Sequence, residues 1–204
     1  MLASLLLDGL GWLGVDPKTL GASAIVGAVA VIAGTGQIIR AEAGSAVFDR
    51  ASRPPARWLA LGVAAGAVLP IQGAINAQLR SDLHAPITVG AFSFLIATAS
   101  MTLVLAGLLA TRRAHPPTVA PLARLPWWGW LGGLCGATYV TSVFLLIPEI
   151  GVAPTVALTV AGQQVASLLI DRHGLLRLPK RPISRRRLLG VATLLAGVAL
   201  IQIA

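Results

Sequence analysis

The sequence predicts an all-α integral membrane protein, a polytopic helical bundle with about six transmembrane helices. Hydrophobic residues make up 56% of the chain and charged residues 11%, where a soluble domain carries about a quarter charged. The mean hydropathy is +0.82. The apolar residues also come in long runs rather than amphipathic stripes, several approaching the roughly twenty residues that cross a bilayer. Lipid leaves only helices or closed barrels able to satisfy the backbone, and the alternation of barrel strands is absent.

Taken in order, the first apolar stretch, residues 2–7, is a stub that can finish a helix but not make one. Crossing ~30 Å at 1.5 Å per residue needs about twenty residues. Full spans are expected at roughly 20–39, 58–79, 87–110, 127–147, 151–170 and 186–204. The first is not read as a cleaved leader. Asp8 and Asp16 precede it with only Lys18 opposing them, and a secretory signal wants a positive region before its apolar core. Trp12, Trp58, Trp127 and Trp128 fall at span ends, the headgroup level that indole rings prefer.

The loops sort by charge. One side holds Arg40, Arg50, Arg53 and Arg57, then Arg112, Arg113 and Arg124, then Arg172, Arg177, Lys180, Arg181 and Arg185 to Arg187. The other side holds only Lys18 and Arg80. Basic loops stay cytoplasmic, so the C-terminal Ala204 is expected outside. The net charge of +9 therefore speaks for orientation and not for nucleic acid, since no aromatics interleave the basic residues.

"ASLLLDGLGWLG" at residues 3–14 returns as "ASLLIDRHGLLR" at 166–177. At one constant offset Ala3, Ser4, Leu5, Leu6, Asp8, Gly11 and Leu13 match Ala166, Ser167, Leu168, Leu169, Asp171, Gly174 and Leu176. Gly27, Ala33, Gly34 and Ile38 then match Gly190, Ala196, Gly197 and Ile201. About eleven identities in roughly thirty-seven positions point to a repeat. The connection before the last helix is densely basic in the later copy, whereas the early copy has lost that charge. The two copies are thus expected to run in opposite directions, as in the inverted repeats of secondary transporters. Residues 1–40 are read as the C-terminal remnant of a first five-helix repeat. Residues 41–57 are a basic cytoplasmic linker, and 58–204 a complete second repeat.

Among polar residues, "LPIQGAINAQL" at 69–79 puts Gln72 and Asn76 one turn apart on a common face. Pro70 removes a backbone hydrogen bond and Gly73 permits close approach, so a broken helix lining a polar cavity is one reading. Interhelical hydrogen bonding is the other. Thr155, Thr159 and Gln163 form a stripe on a later span, and Thr138 with Ser142, and Thr98 with Thr102, repeat the spacing. Gly132 and Gly136, like Gly62 and Gly66, form GxxxG pairs expected to pack helices. Asp171 is expected to be structural, near Arg172. Gln72, Asn76, Thr159 and Gln163 are the candidate substrate-binding residues, with Pro70, Gly73, Gly132, Gly136 and Gly162 as break or packing positions.

No acidic or basic residue and no histidine lies deep in an expected span, where proton relays place one. His84, His115 and His173 lack metal-ligand spacing, and Cys135 is alone. No phosphate loop or nucleophile elbow occurs. An enzyme, a metal site or a cofactor is not expected.

"LPIQGAINAQLR", "LPWWGWLGGLCGATYV" and "VAGQQVASLLIDRHGLLRLPKRPISRRRLLGVATLLAGVALI" together resemble the YdcZ family of bacterial inner-membrane proteins, within the drug/metabolite transporter superfamily. The likeness covers residues 58–204, with 1–39 as the tail of another unit. The family pattern falls on Pro70, Gln72, Asn76, Gly162, Gln163 and Asp171. The resemblance implies an EamA-like bundle in the bacterial cytoplasmic membrane, with two five-helix units fused or paired into ten helices. The expected function is secondary transport of a small polar or amphipathic metabolite or drug by alternating access. The expected partners are the bilayer, an unidentified solute and either the missing part of the first repeat or a second five-helix unit. The rival is a non-transporting scaffold or accessory subunit whose polar residues only join helices.

Overall fold

A computed structural model describes residues 1–18, 21–43, 56–118, 122 and 124–203. Among the described residues seven α-helices follow one another: α1 (Leu2–Leu10), α2 (Ala22–Ala43), α3 (Ala56–Leu83), α4 (Pro86–Ala110), α5 (Leu131–Ile150), α6 (Val152–His173) and α7 (Arg185–Gln202). Short 3-10 turns stand at Trp12–Gly14, Trp127–Trp130 and Leu175–Arg177. No strand occurs among the described residues. Thr19, Arg50, Arg53 and most of the expected linker at 41–57 lie outside the described residues.

Among the described residues five helices are long and apolar enough to cross a membrane, at Ala22–Ala41, Ala60–Leu83, Pro86–Ala110, Trp127–Ile150 and Val152–His173. They correspond to the first five expected spans. The sixth expected span is α7, which opens on Arg185, Arg186 and Arg187. It is not among the five, and it packs along α2.

The helices form two compact units, residues 1–75 with 146–204 and residues 76–145. In the first, α2 and α7 pack so closely that glycines are required. A Cβ on Gly34 would come within 2.6 Å of the Gly190 carbonyl oxygen, and one on Gly27 within 2.6 Å of the Gly197 oxygen. Advancing along α2 means receding along α7, so the two are antiparallel. The contacts are also reciprocal. Gly27 meets Ile201 while Gly190 meets Ile38, and Gly34 meets Leu194 while Gly197 meets Val31. Each residue in one contact is the repeat partner of a residue in the other. The core carries Ala157 and Ala161 of α6 against Ala28, Val31, Leu194 and Val198, with Met1 and, on α1, Leu5 partly buried on it.

The two copies of the repeat also share their connection. α1 and α6 end on left-handed Gly11 and Gly174, each followed by a left-handed leucine, Leu13 and Leu176. The Lys18 N–H donates to the Asp8 carbonyl at 2.8 Å, and the Arg181 N–H to the Asp171 carbonyl at 2.9 Å. Equivalent residues thus make equivalent hydrogen bonds.

In the second unit, Asn76 of α3 reaches Ser93 of α4, and Gly90 of α4 lies beside Thr141 of α5. Val89 and Phe144 are fully buried there, and a Cβ on Gly90 would lie 3.5 Å from the Thr141 hydroxyl.

Candidate functional site

Of the two readings of the string around Pro70, the broken helix is not the one seen. α3 runs from Ala56 through Pro70 to Leu83 as one helix. A proline clashes with, and deprives of its bond, the carbonyl four residues earlier, which here belongs to Gly66. Membrane helices absorb such a loss by local adjustment. Pro70 and Gly73 are both buried.

The four candidate binding residues are placed differently from one another. Asn76 is buried, 7% exposed, and its side-chain NH2 donates to the Ser93 hydroxyl of α4 at 3.1 Å. Gln72 lies on the exposed side of α3. A four-residue step turns about 40° beyond a full turn, which here carries the side chain from the packed face to its margin. On α6, Thr159 is half-buried and Gln163 exposed. The Thr159 hydroxyl donates to the Val156 carbonyl at 2.9 Å.

The other threonine stripes behave alike. Thr98, Thr102 and Thr138 donate to the carbonyls of Phe94, Thr98 and Leu134 at 2.8, 2.8 and 2.9 Å. A hydroxyl bonded back to its own helix keeps its oxygen as an acceptor. These hydroxyl oxygens therefore remain acceptors, while Gln72, Gln163 and Asn76 carry amides with both functions.

The packing expected at Gly132, Gly136 and Gly162 is not made within the described residues. A Cβ on any of them, or on Gly62 and Gly66, would meet nothing within 4 Å. Close packing in this chain uses Gly27 and Gly34 against Gly190 and Gly197, at a spacing of two turns.

Asp171 is structural, but its partner is Arg187 and not the adjacent Arg172. Arg187 Nη1 lies 2.6 Å from Asp171 Oδ2, and its Nη2 donates to the Ser167 hydroxyl at 2.9 Å. Arg172 is exposed. It follows Asp171 by one residue, which on a helix points it about 100° away.

The sequence reading missed Asp8. This carboxylate is 2% exposed and accepts the Val152 N–H at 2.7 Å and the Ala153 N–H at 2.6 Å. It caps α6 from across the chain, because the local cap position is Gly151, which has no side chain and a φ of 95°. Anionic acceptors at a helix N-terminus satisfy otherwise orphaned donors and oppose the helix dipole. The recurrence of Asp8 as Asp171 was the only signal of this in the sequence.

Next to this cap is a cavity of about 530 Å³, bordered by Asp8, Lys18 and Gln202 and by apolar Ile150, Pro154 and Ile201. Gln72, Asn76, Thr159 and Gln163 do not line it.

Residues 57–200 match the family described as "Putative inner membrane exporter, YdcZ", and the chain belongs to that family. The family is of the drug/metabolite transporter type, so the chain is assigned to inner-membrane transport in general terms. No curated protein and no solved structure matches the chain.

Proposed function

We propose that this member of the YdcZ family moves a small polar or amphipathic solute across the inner membrane by alternating access. The observation that carries the reading is the family match over residues 57–200, which takes in four of the five span-length helices. The solute is held by neutral hydrogen bonds from Gln72, Asn76, Thr159 and Gln163, with the threonine oxygens as further acceptors. The reading pairs the unit at 58–204 with a first unit ending in α2. The other helices of that first unit come from the same polypeptide upstream or from a second five-helix chain. The reciprocal, antiparallel contacts of α2 and α7 support this inverted arrangement. Such transporters bind their substrate between two repeats.

The test is metabolite profiling of cells carrying the full-length gene, the deletion, or Gln163→Leu. The deletion should accumulate a solute that the intact gene removes, and Gln163→Leu should behave as the deletion while inserting normally. An unchanged profile across all three strains would favour the accessory-subunit reading.

A further inference from the structure

The repeat places Ala24 in register with Arg187, just as Gly27 is in register with Gly190. At the α7 position the arginine side chain fills the space beside Asp171 and pairs with it at 2.6 Å. At the α2 position Ala24 has only a methyl group and borders the open cavity of about 530 Å³. The same fold therefore has one end plugged by its own side chain and the other left open.

The open end has a definite chemistry. The Asp8 carboxylate is committed to the Val152 and Ala153 amides. Lys18 Nζ stands where a Cβ on Gly151 would lie 3.3 Å from it, and it makes no ion pair among the described residues. The two side-chain charges cancel in sum, but the Asp8 oxygens are taken up by the two amides, which leaves the Lys18 ammonium as the charged donor facing the cavity. The Gln202 amide adds a donor, and Ile150, Pro154 and Ile201 supply an apolar wall. An apolar concavity of about 300–1,000 Å³ with few polar groups is the usual form of a small-molecule site.

We infer that this cavity binds an amphipathic anion, its carboxylate or phosphate head on Lys18 and Gln202 and its aliphatic body against Ile150, Pro154 and Ile201. The site is distinct from the Gln72–Gln163 set and does not rest on the transport reading. The head can belong to a bilayer phospholipid or to a free amphipathic acid, which share this chemistry.

The test uses the purified full chain in phosphatidylcholine nanodiscs and a decanoic acid bearing a diazirine. After illumination, peptide mass spectrometry should find adducts at residues 150–154 and 201–202. Unlabelled decanoate should suppress them and decyltrimethylammonium should not. Lys18→Ala should lower labelling about tenfold, the loss expected of a charge-assisted contact, and Lys18→Arg should restore it. Ala24→Trp should abolish it by filling the cavity. Suppression by added phosphatidylglycerol would assign the site to a lipid head, and suppression by decanoate alone to a free acid. No labelling there, labelling indifferent to Lys18→Ala, or equal competition by the cationic amphiphile would overturn the inference. Because Lys18 is exposed and holds Asp8 through its backbone N–H, its substitution leaves the fold in place.

Discussion

Asp8 shows how much one side chain can decide. α6 begins at Val152 with no capping side chain of its own, and two of its first amides are buried against a carboxylate that precedes them by 144 and 145 residues. Asp8→Ala would leave both donors buried without an acceptor, at a cost of about 2 kcal/mol or more. Asp8→Asn keeps one acceptor oxygen and should cost less. Thermal unfolding in detergent should rank wild type above Asp8→Asn above Asp8→Ala; equal midpoints would deny the cap. Gly151→Ala should also destabilise. Its φ of 95° is unfavourable for a residue with a Cβ, and that Cβ would sit 3.3 Å from both the Asp8 carboxylate and Lys18 Nζ. About 1–2 kcal/mol is expected from the backbone alone, read in the same melt. Local sequence could not reveal this cap, because cap signatures are sought within three residues of a helix start and Gly151 offers none. The Asp in both repeats was visible, but its partner depends on which helix end folding brings to it.

At the scale of elements, the apolar runs located the long helices because hydrocarbon thickness fixes their length. α2, α3, α4, α5 and α6 follow from composition alone. α7 was legible as a helix at 186–204 as well, although it opens on three arginines and its place comes from packing against α2. The GxxxG spacing at Gly132 and Gly136 was legible yet unused among the described residues, while the pairs Gly27 with Gly34 and Gly190 with Gly197 carry the contact. Small residues permit close approach only where another backbone arrives, and spacing does not name the partner. This gives a paired prediction. Gly34→Ala and Gly197→Ala should loosen the first unit, because the new Cβ would fall 2.6 Å from the carbonyl oxygens of Gly190 and Gly27. A loss of about 2 kcal/mol fits the usual cost of overpacking. Gly136→Ala should leave the melt of this chain unchanged, since nothing lies within 4 Å of the added atom. If the Gly136 and Gly34 variants melt alike, the helix contact is misassigned.

At the scale of the whole molecule, charge and symmetry bear on one question, the direction in which each copy of the repeat crosses the membrane. α2 and α7 are antiparallel partners built from matching residues. The connection before α2 holds Lys18, whereas the one before α7 holds Arg177, Lys180 and Arg181 and leads into Arg185, Arg186 and Arg187 at the start of α7. Basic connections are retained in the cytoplasm. The reading proposed here therefore puts the Asp8–Ala22 connection outside and the Arg172–Ser184 connection inside, with the C-terminus outside. Single cysteines at Asp16 and Pro182, after Cys135→Ser, would test it in intact cells. Both positions are exposed. Pro182 is preferred to Ser184, whose hydroxyl accepts the Arg187 N–H at 3.2 Å and caps α7. A membrane-impermeant maleimide should label Asp16→Cys and spare Pro182→Cys until the cells are opened. Labelling of both in intact cells would mean either that the chain inserts in two orientations or that the two connections share a side. A pulse with permeant reagent separates these cases, because dual insertion leaves about half of each cysteine protected from the impermeant reagent. A shared side leaves both fully accessible, and the inverted repeat would then fail even though α2 and α7 still pack as matched partners.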